Sequence, residues 1–186
     1  LRTGRPRILH SLLPPLEEQA HIREVHTQQL THSVSKLAEK MGLSSEQSRN
    51  LQLLAQFHDL GKVGISDRIL FKSEALTAEE YQEMRRHCEI GHRIALSSPD
   101  LAPIADLILK HHEWWDGRGY PLGLKGEQIP IECRILAVAE AYDIMTNQRP
   151  YQETRSGQQA LEELRRAAGT QFDPAVVETF INGIKP

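Results

Sequence analysis

Five of the nine histidines in this 186-residue chain fall on the apolar stripes of helical patterns, and this restricts the fold more than any other feature. His26 stands one turn before Leu30, in line with Val34, Leu37, Ala38 and Met41 at three-and-four spacing. His58 continues the line of Leu51, Leu54 and Ala55. His87 lies on the stripe of Met84, Cys88, Gly91, Ile94 and Ala95. His111 closes the stripe of Ile104, Leu107 and Ile108, and His112 follows where that helix ends. Asp59 and Asp143 stand at matching places, the latter on an inner face with Ile135, Leu136 and Ala139. Burying five imidazoles and two carboxylates in one helical core is costly without compensation, and a metal centre is that compensation. Seven nitrogen and oxygen donors are too many for one tetrahedral ion and suit two ions sharing a carboxylate. Neighbouring helical residues are about 100° apart, so His58 and Asp59 can face different ions, with Asp59 as the bridge. Lys62, one turn beyond His58 on the same face, would neutralise a phosphate oxygen.

The rest of the pattern is helical too. Residues 1–15 read as a tail or linker, with Leu12-Leu13-Pro14-Pro15 blocking helix, and residues 16–186 as one domain. Ser44 to Gln47 and Thr77 to Glu80 have the form of capping boxes. Gly61 and Gly64 end the helix that carries His58, and a loop is expected from Val63 to Ser73. Pro130 starts another helix, Arg149-Pro150-Tyr151 breaks it, Ser156 to Ala168 is helical, and Asp173-Pro174 is an N-cap followed by proline at the first helical position. No stretch gives a period-two strand. The expected class is all-α, a compact multi-helix domain with the dimetal site in its core.

Composition narrows the partners. A net charge of −3 without a long charge run argues against a nucleic-acid polymer, but leaves room for a small phosphorylated ligand. Cys88 and Cys133 fit no disulfide framework, so a reducing compartment, the cytoplasm, is expected. No apolar run approaches the roughly 18 residues of a membrane span. The chain begins at Leu1, and an upstream sensor or receiver domain is expected.

Phe57-His58-Asp59-Leu60-Gly61-Lys62-Val63-Gly64-Ile65 resembles the HD superfamily of metal phosphohydrolases. His111-His112-Glu113, followed by Asp116-Gly117-Arg118-Gly119-Tyr120-Pro121, resembles the HD-GYP family within it. Asp143 with Arg149-Pro150-Tyr151, and Gln171-Phe172-Asp173-Pro174, fit that family's later motifs, so the likeness runs from about His26 to Phe180. It implies metal-dependent hydrolysis of the phosphodiester bonds of cyclic di-GMP to pGpG or GMP. It also implies that His26, His58, Asp59 and Asp143 hold one ion, with Asp59 bridging to a second held by His87, His111 and His112. Two divalent ions, iron or manganese, are implied. Lys62 would contact the scissile phosphate, Arg118, Tyr120 and Pro121 would line the substrate groove, and Arg149 would hold a phosphate. Signalling-protein partners are implied as well. Ile22 stands where some members carry a Glu that helps bind a third metal, so two ions are expected. Gln152 stands where Lys is common, removing one phosphate contact, and Gln29 stands where Arg is common.

Two other functions remain open: a weakly catalytic module that binds cyclic dinucleotides or signalling proteins, and a phosphodiesterase for a related dinucleotide such as cyclic GMP-AMP. Among the remaining residues, Glu113 is expected to support a histidine N–H, Cys88 to be core and Asp116 to cap its loop. Trp114 and Trp115 read as core or as a wall of the groove. His10, His21, His32 and His92 read as solvated surface.

Overall fold

The structure is a computed structural model that describes residues 13–72, 74–147 and 155–184, with side chains from Thr27 to Gly183. The His26 side chain, Arg149, Gln152 and most of the expected tail lie outside the described residues. The described residues form α1 (Leu13–Lys40), α2 (Ser45–Phe57), α3 (Asp67–Leu70), α4 (Ala78–Arg85), α5 (His87–Leu96), α6 (Ala105–Lys110), α7 (Ile131–Thr146), α8 (Gly157–Ala167) and α9 (Pro174–Ile184). The β-pairing among them is an isolated bridge between Ala168 and Phe172. The class is all-α, as expected.

Local chemistry sets many of the boundaries. Ser44 and Thr77 each accept from the amide three residues on, while Gln47 and Glu80 reach back to the cap amide. Ser156 and Gln159 repeat the device at α8. Asp173 accepts from the Ala175 amide at 2.8 Å, opening α9 at Pro174. Such caps typically contribute about 1 kcal/mol each. α1 begins at Leu13, not after Pro15, because prolines in the first turn lack only donors that have no intrahelical partner there. The helix expected across residues 77–95 is broken at Arg86 into α4 and α5. The expected loop after His58 contains a 3-10 turn, Leu60–Gly64, and the single turn of α3.

α1 packs on α2, α7 and α9, and α2 also packs on α7. Val34, Leu51, Leu54, Ile108, Ile135, Leu136, Leu164 and Val176 are buried between them. The 3-10 turn lies against α5, and α5 lies against α6. A Cβ on Gly61 would stand 1.9 Å from the His87 carbonyl oxygen and 2.5 Å from the Gly91 nitrogen. Only glycine lets this turn approach α5 so closely, and that approach brings Asp59 and Lys62 beside His87. Gly61→Ala is therefore expected to lower unfolding free energy by about 1–3 kcal/mol or more, read from urea denaturation. Wild-type stability in that variant would disprove the close approach.

Candidate metal centre

Three imidazoles are oriented by carbonyls of the turn that precedes each of them. His58, the C-cap of α2, has Nδ1 3.1 Å from the Ala55 carbonyl oxygen and 3.3 Å from that of Leu54. His87 Nδ1 lies 2.7 Å from the Met84 oxygen, and His111 Nδ1 lies 2.6 Å from the Ile108 oxygen. A carbonyl only accepts, so each Nδ1 carries the proton. In the neutral rings of His87 and His111 Nε2 then offers a lone pair, the arrangement by which metal-binding histidines are commonly fixed, while His58 Nε2 is freed for a cation only on loss of its proton. The Nε2 atoms of His87 and His111 face each other at 3.4 Å. Two lone pairs at that distance repel unless a cation lies between them, and the spacing suits two nitrogens binding one ion at about 2.1 Å. His112 completes the group, its ring centroid 4.1 Å from that of His111 and 5.1 Å from that of His87. His87, Cys88, His111 and His112 have donor atoms within 4.8 Å of one another.

Asp59 spans two of these rings. Its Oδ1 lies 3.8 Å from His87 Nε2, and its Oδ2 lies 3.7 Å from His58 Nε2. Lys62 Nζ donates to Oδ2 at 2.6 Å. The side chains of Asp59 and Lys62 are 38% and 43% exposed, whereas His87 and His111 are buried, so the cluster opens to solvent on the Lys62 side. Glu140 of α7, absent from the sequence expectation, places Oε1 3.4 Å from His58 Nε2. It lies three residues before Asp143, so helical spacing from Asp143 was the signal that pointed to it. Asp143 Oδ1 accepts from Asn147 Nδ2 at 2.6 Å.

The electrostatics fit a cation site. Burial, together with the neighbouring imidazoles, holds His111 well below the ordinary histidine value, and burial with His87 nearby lowers His112 to about 3. Burial also lowers His87. These three rings therefore stay neutral, as ligands must. Burial alone would lower His58, but Glu140 and Asp59 raise it to about 9. Burial opposes ionisation of Asp59, but His58 and Lys62 hold its carboxyl below the usual range. Burial pushes the Cys88 thiol up to about 12, so it is a neutral wall 3.6 Å from His87 Nε2. It is fully buried, as its stripe position required.

The loop after His112 is tied down from within. Glu113 is buried and accepts from the amides of Leu122 at 2.6 Å and Leu124 at 2.9 Å, so it supports the loop where a histidine N–H had been expected. Pro121 is thereby held next to the tied segment. Asp116 accepts from the Arg118 amide at 3.0 Å and from Arg118 Nε at 2.7 Å. Arg118 is thus paired within its own loop and 67% exposed. Asp116 and Trp115 donate backbone amides to Thr170 and Gln171, joining the loop to the α8–α9 connection. A Cβ on Gly119 would lie 2.2 Å from the Trp114 nitrogen. Tyr120 stacks on His112 at 5.0 Å with 28° between planes. Trp114 and Trp115 are half-buried, with Arg134 5.8 Å from the Trp115 ring. His32 is exposed, while His92 lies 3.3 Å from Asp106.

The HD domain family matches residues 8–176, and the chain belongs to that family. A cyclic di-GMP phosphodiesterase of Thermotoga maritima is 42% identical over 158 residues, covering 84% of this chain and 43% of that protein. The cyclic di-GMP phosphodiesterase response regulator RpfG of Xanthomonas campestris pv. campestris is 40% identical over 158 residues, covering 84% of this chain and 42% of that protein. A solved cyclic GMP-AMP specific phosphodiesterase of Vibrio cholerae, V-cGAP3, superposes with a TM-score of 0.66. That match covers 84% of this chain and 43% of that one at 24% identity, a likeness of fold. The chain spans less than half the length of these relatives.

Metal-free protein is expected to lose stability on acidification. Below pH 6.5 the unfolded chain takes up protons that His87, His111 and His112 refuse when folded, so stability falls as pH falls. His58 has the opposite sign: its contribution is complete below pH 6.5 and is lost as pH rises through about 9. His112 alone accounts for roughly 2 kcal/mol between pH 7 and 5. Thermal unfolding of chelator-treated protein should show a marked fall over that interval, and a flat profile would contradict neutral rings.

Proposed function

We propose that this chain is the catalytic module of an HD-GYP-type phosphodiesterase, which hydrolyses cyclic di-GMP to pGpG or GMP with two divalent ions. The observation that carries the reading is Asp59, whose two oxygens lie between His58 and His87 with Lys62 at the open side. His58, Asp59 and Glu140 hold one ion, joined by His26 and Asp143 as the sequence implies. Asp59, His87, His111 and His112 hold the other. A donor set of imidazoles and carboxylates beside a protonated thiol suits iron or manganese. Such ions, when bound, supply hydroxide at neutral pH and polarise a phosphoryl oxygen.

The chain's own residues do the rest. The carbonyls of Ala55, Met84 and Ile108 keep three Nε2 lone pairs aimed inward. Lys62 fixes Asp59 from the solvent side and offers its charge to a phosphate arriving there. Arg149, as the motif implies, holds a second phosphate oxygen. Tyr120 keeps His112 in place, and Pro121 shapes the mouth, whereas Arg118 acts on the loop through Asp116. Cyclic di-GMP is the substrate named for the relatives, whose greater length leaves room for the sensor or receiver domain expected from the sequence; the cytoplasm and signalling partners belong to that same sequence reading. No helix of the described residues is long and apolar enough to cross a membrane.

Anaerobically prepared protein should carry about two ions and convert cyclic di-GMP to linear product. Asp59→Asn should lose more activity than the roughly 10–100-fold typical of residues that merely orient a ligand. Full turnover in that variant would sink the reading. Metal-replete protein that binds cyclic di-GMP without product would be a binding module instead. Cyclic GMP-AMP, the related dinucleotide that the sequence leaves open, is the second substrate to compare by competition kinetics. Glu140→Gln is expected to cost the first ion more occupancy than Asp143→Asn does, measured as metal content after dialysis. The reverse order would return the α7 ligand to Asp143.

A further inference from the structure

Arg85 is the last residue of α4. Its guanidinium carbon lies 4.2 Å from the Tyr120 ring centroid and 6.0 Å from that of Tyr81. Tyr120 in turn lies 5.0 Å from His112, so the guanidinium is within about 9 Å of a metal-facing imidazole. That is the reach of one nucleotide from phosphate to base. The Tyr81 ring, at the outer end, is 48% exposed.

The charge on Arg85 lacks the carboxylate compensation that several other cations of the chain have. Lys62, Arg68, Lys72 and Arg118 each pair with a carboxylate. Among the described residues, Arg85 has no carboxylate partner, and its polar contact is a long one, 3.5 Å from Nη1 to Gln82 Oε1. The side chain is half-buried, and a guanidinium is always charged. Apart from that long Gln82 contact, its fork of N–H donors has no acceptor among the described residues. A planar fork matches two adjacent acceptors, such as two phosphate oxygens or O6 and N7 of guanine. Lys62 pairs with Asp59 at the open side of the cluster, and Arg85 lies one tyrosine ring beyond His112, where a base would lie. Adenine sets an amino donor beside N7 and would oppose one arm of the fork.

We propose that Arg85 determines base specificity, its guanidinium reading O6 and N7 of a guanine that lies against the exposed Tyr81 ring. The proposal rests on the cyclic-dinucleotide reading above. The test is steady-state kinetics of wild type, Arg85→Met and Arg85→Lys on cyclic di-GMP, cyclic di-AMP and bis(p-nitrophenyl) phosphate, a diester without a base, with metal content measured alongside. Arg85→Met is expected to lower kcat/KM for cyclic di-GMP by about 10- to 100-fold, mainly through KM, with metal content retained. The loss should exceed that on the base-free diester at least about tenfold and should erase the preference over cyclic di-AMP. Arg85→Lys keeps the charge without the fork and should not restore that preference. Recovery by lysine would mean that Arg85 meets a phosphate, and would overturn the guanine assignment. Equal losses on all three substrates, with metal released, would overturn it too, as would unchanged cyclic di-GMP kinetics. Wild-type protein that cleaves the base-free diester but no cyclic dinucleotide would instead overturn the substrate reading itself, before any variant is compared.

Discussion

Three buried imidazoles can face one another in this core because each Nδ1–H is already committed to a carbonyl of its own chain segment. The partners are three residues back, at Ala55, Met84 and Ile108. Each ring is thereby locked by local geometry at a helix end, and the Nε2 atoms point into one shared space. A set of lone pairs 3.4 Å apart in a buried space is unfavourable on its own. The fold tolerates it because helix packing supplies the stability and a cation can relieve the repulsion. Gly61 is the second half of the same constraint: its close approach to α5 puts Asp59 between rings from different helices.

What could be read from the sequence is what is local. His58, His87 and His111 lie on apolar stripes that became buried helix faces, and the three caps with a side-chain acceptor at Ser44, Thr77 and Asp173 formed as their spacing implied. The misses have a common cause, which is that they depend on which face of a helix meets another element. Spacing placed Asp143 on the inner face of α7 but did not single out Glu140, one turn earlier, whose carboxylate lies against His58. Glu113 follows two metal-facing histidines and was expected to serve one, but the returning loop offers it two amides at shorter reach. Nothing in periodicity reports where a loop returns. The break at Arg86 was also hidden, since the apolar stripe continues across it from Met84 to Cys88.

The glycine-rich loop divides its work in a way that its sequence does not announce. Its charged residues, Asp116 and Arg118, pair with each other, and its amides are held by Glu113 and by the α8–α9 connection. These contacts make the loop rigid without reference to any ligand. Its aromatic residue points the other way, onto a metal-facing ring.

That last contact couples the loop to the histidine cluster. Tyr120 both stacks on His112 and receives Arg85 over its ring, and its amide donates to the His112 carbonyl at 3.2 Å. A shift of the loop therefore moves a ring of the ligand cluster, and fixing that ring holds the loop. By linkage the two influence each other by the same free energy, whichever is perturbed first. The signature tyrosine is thus better understood as a strut between mouth and metal centre than as an open platform for a base. An exposed aromatic surface lies one side chain further out, at Tyr81, beside Arg85.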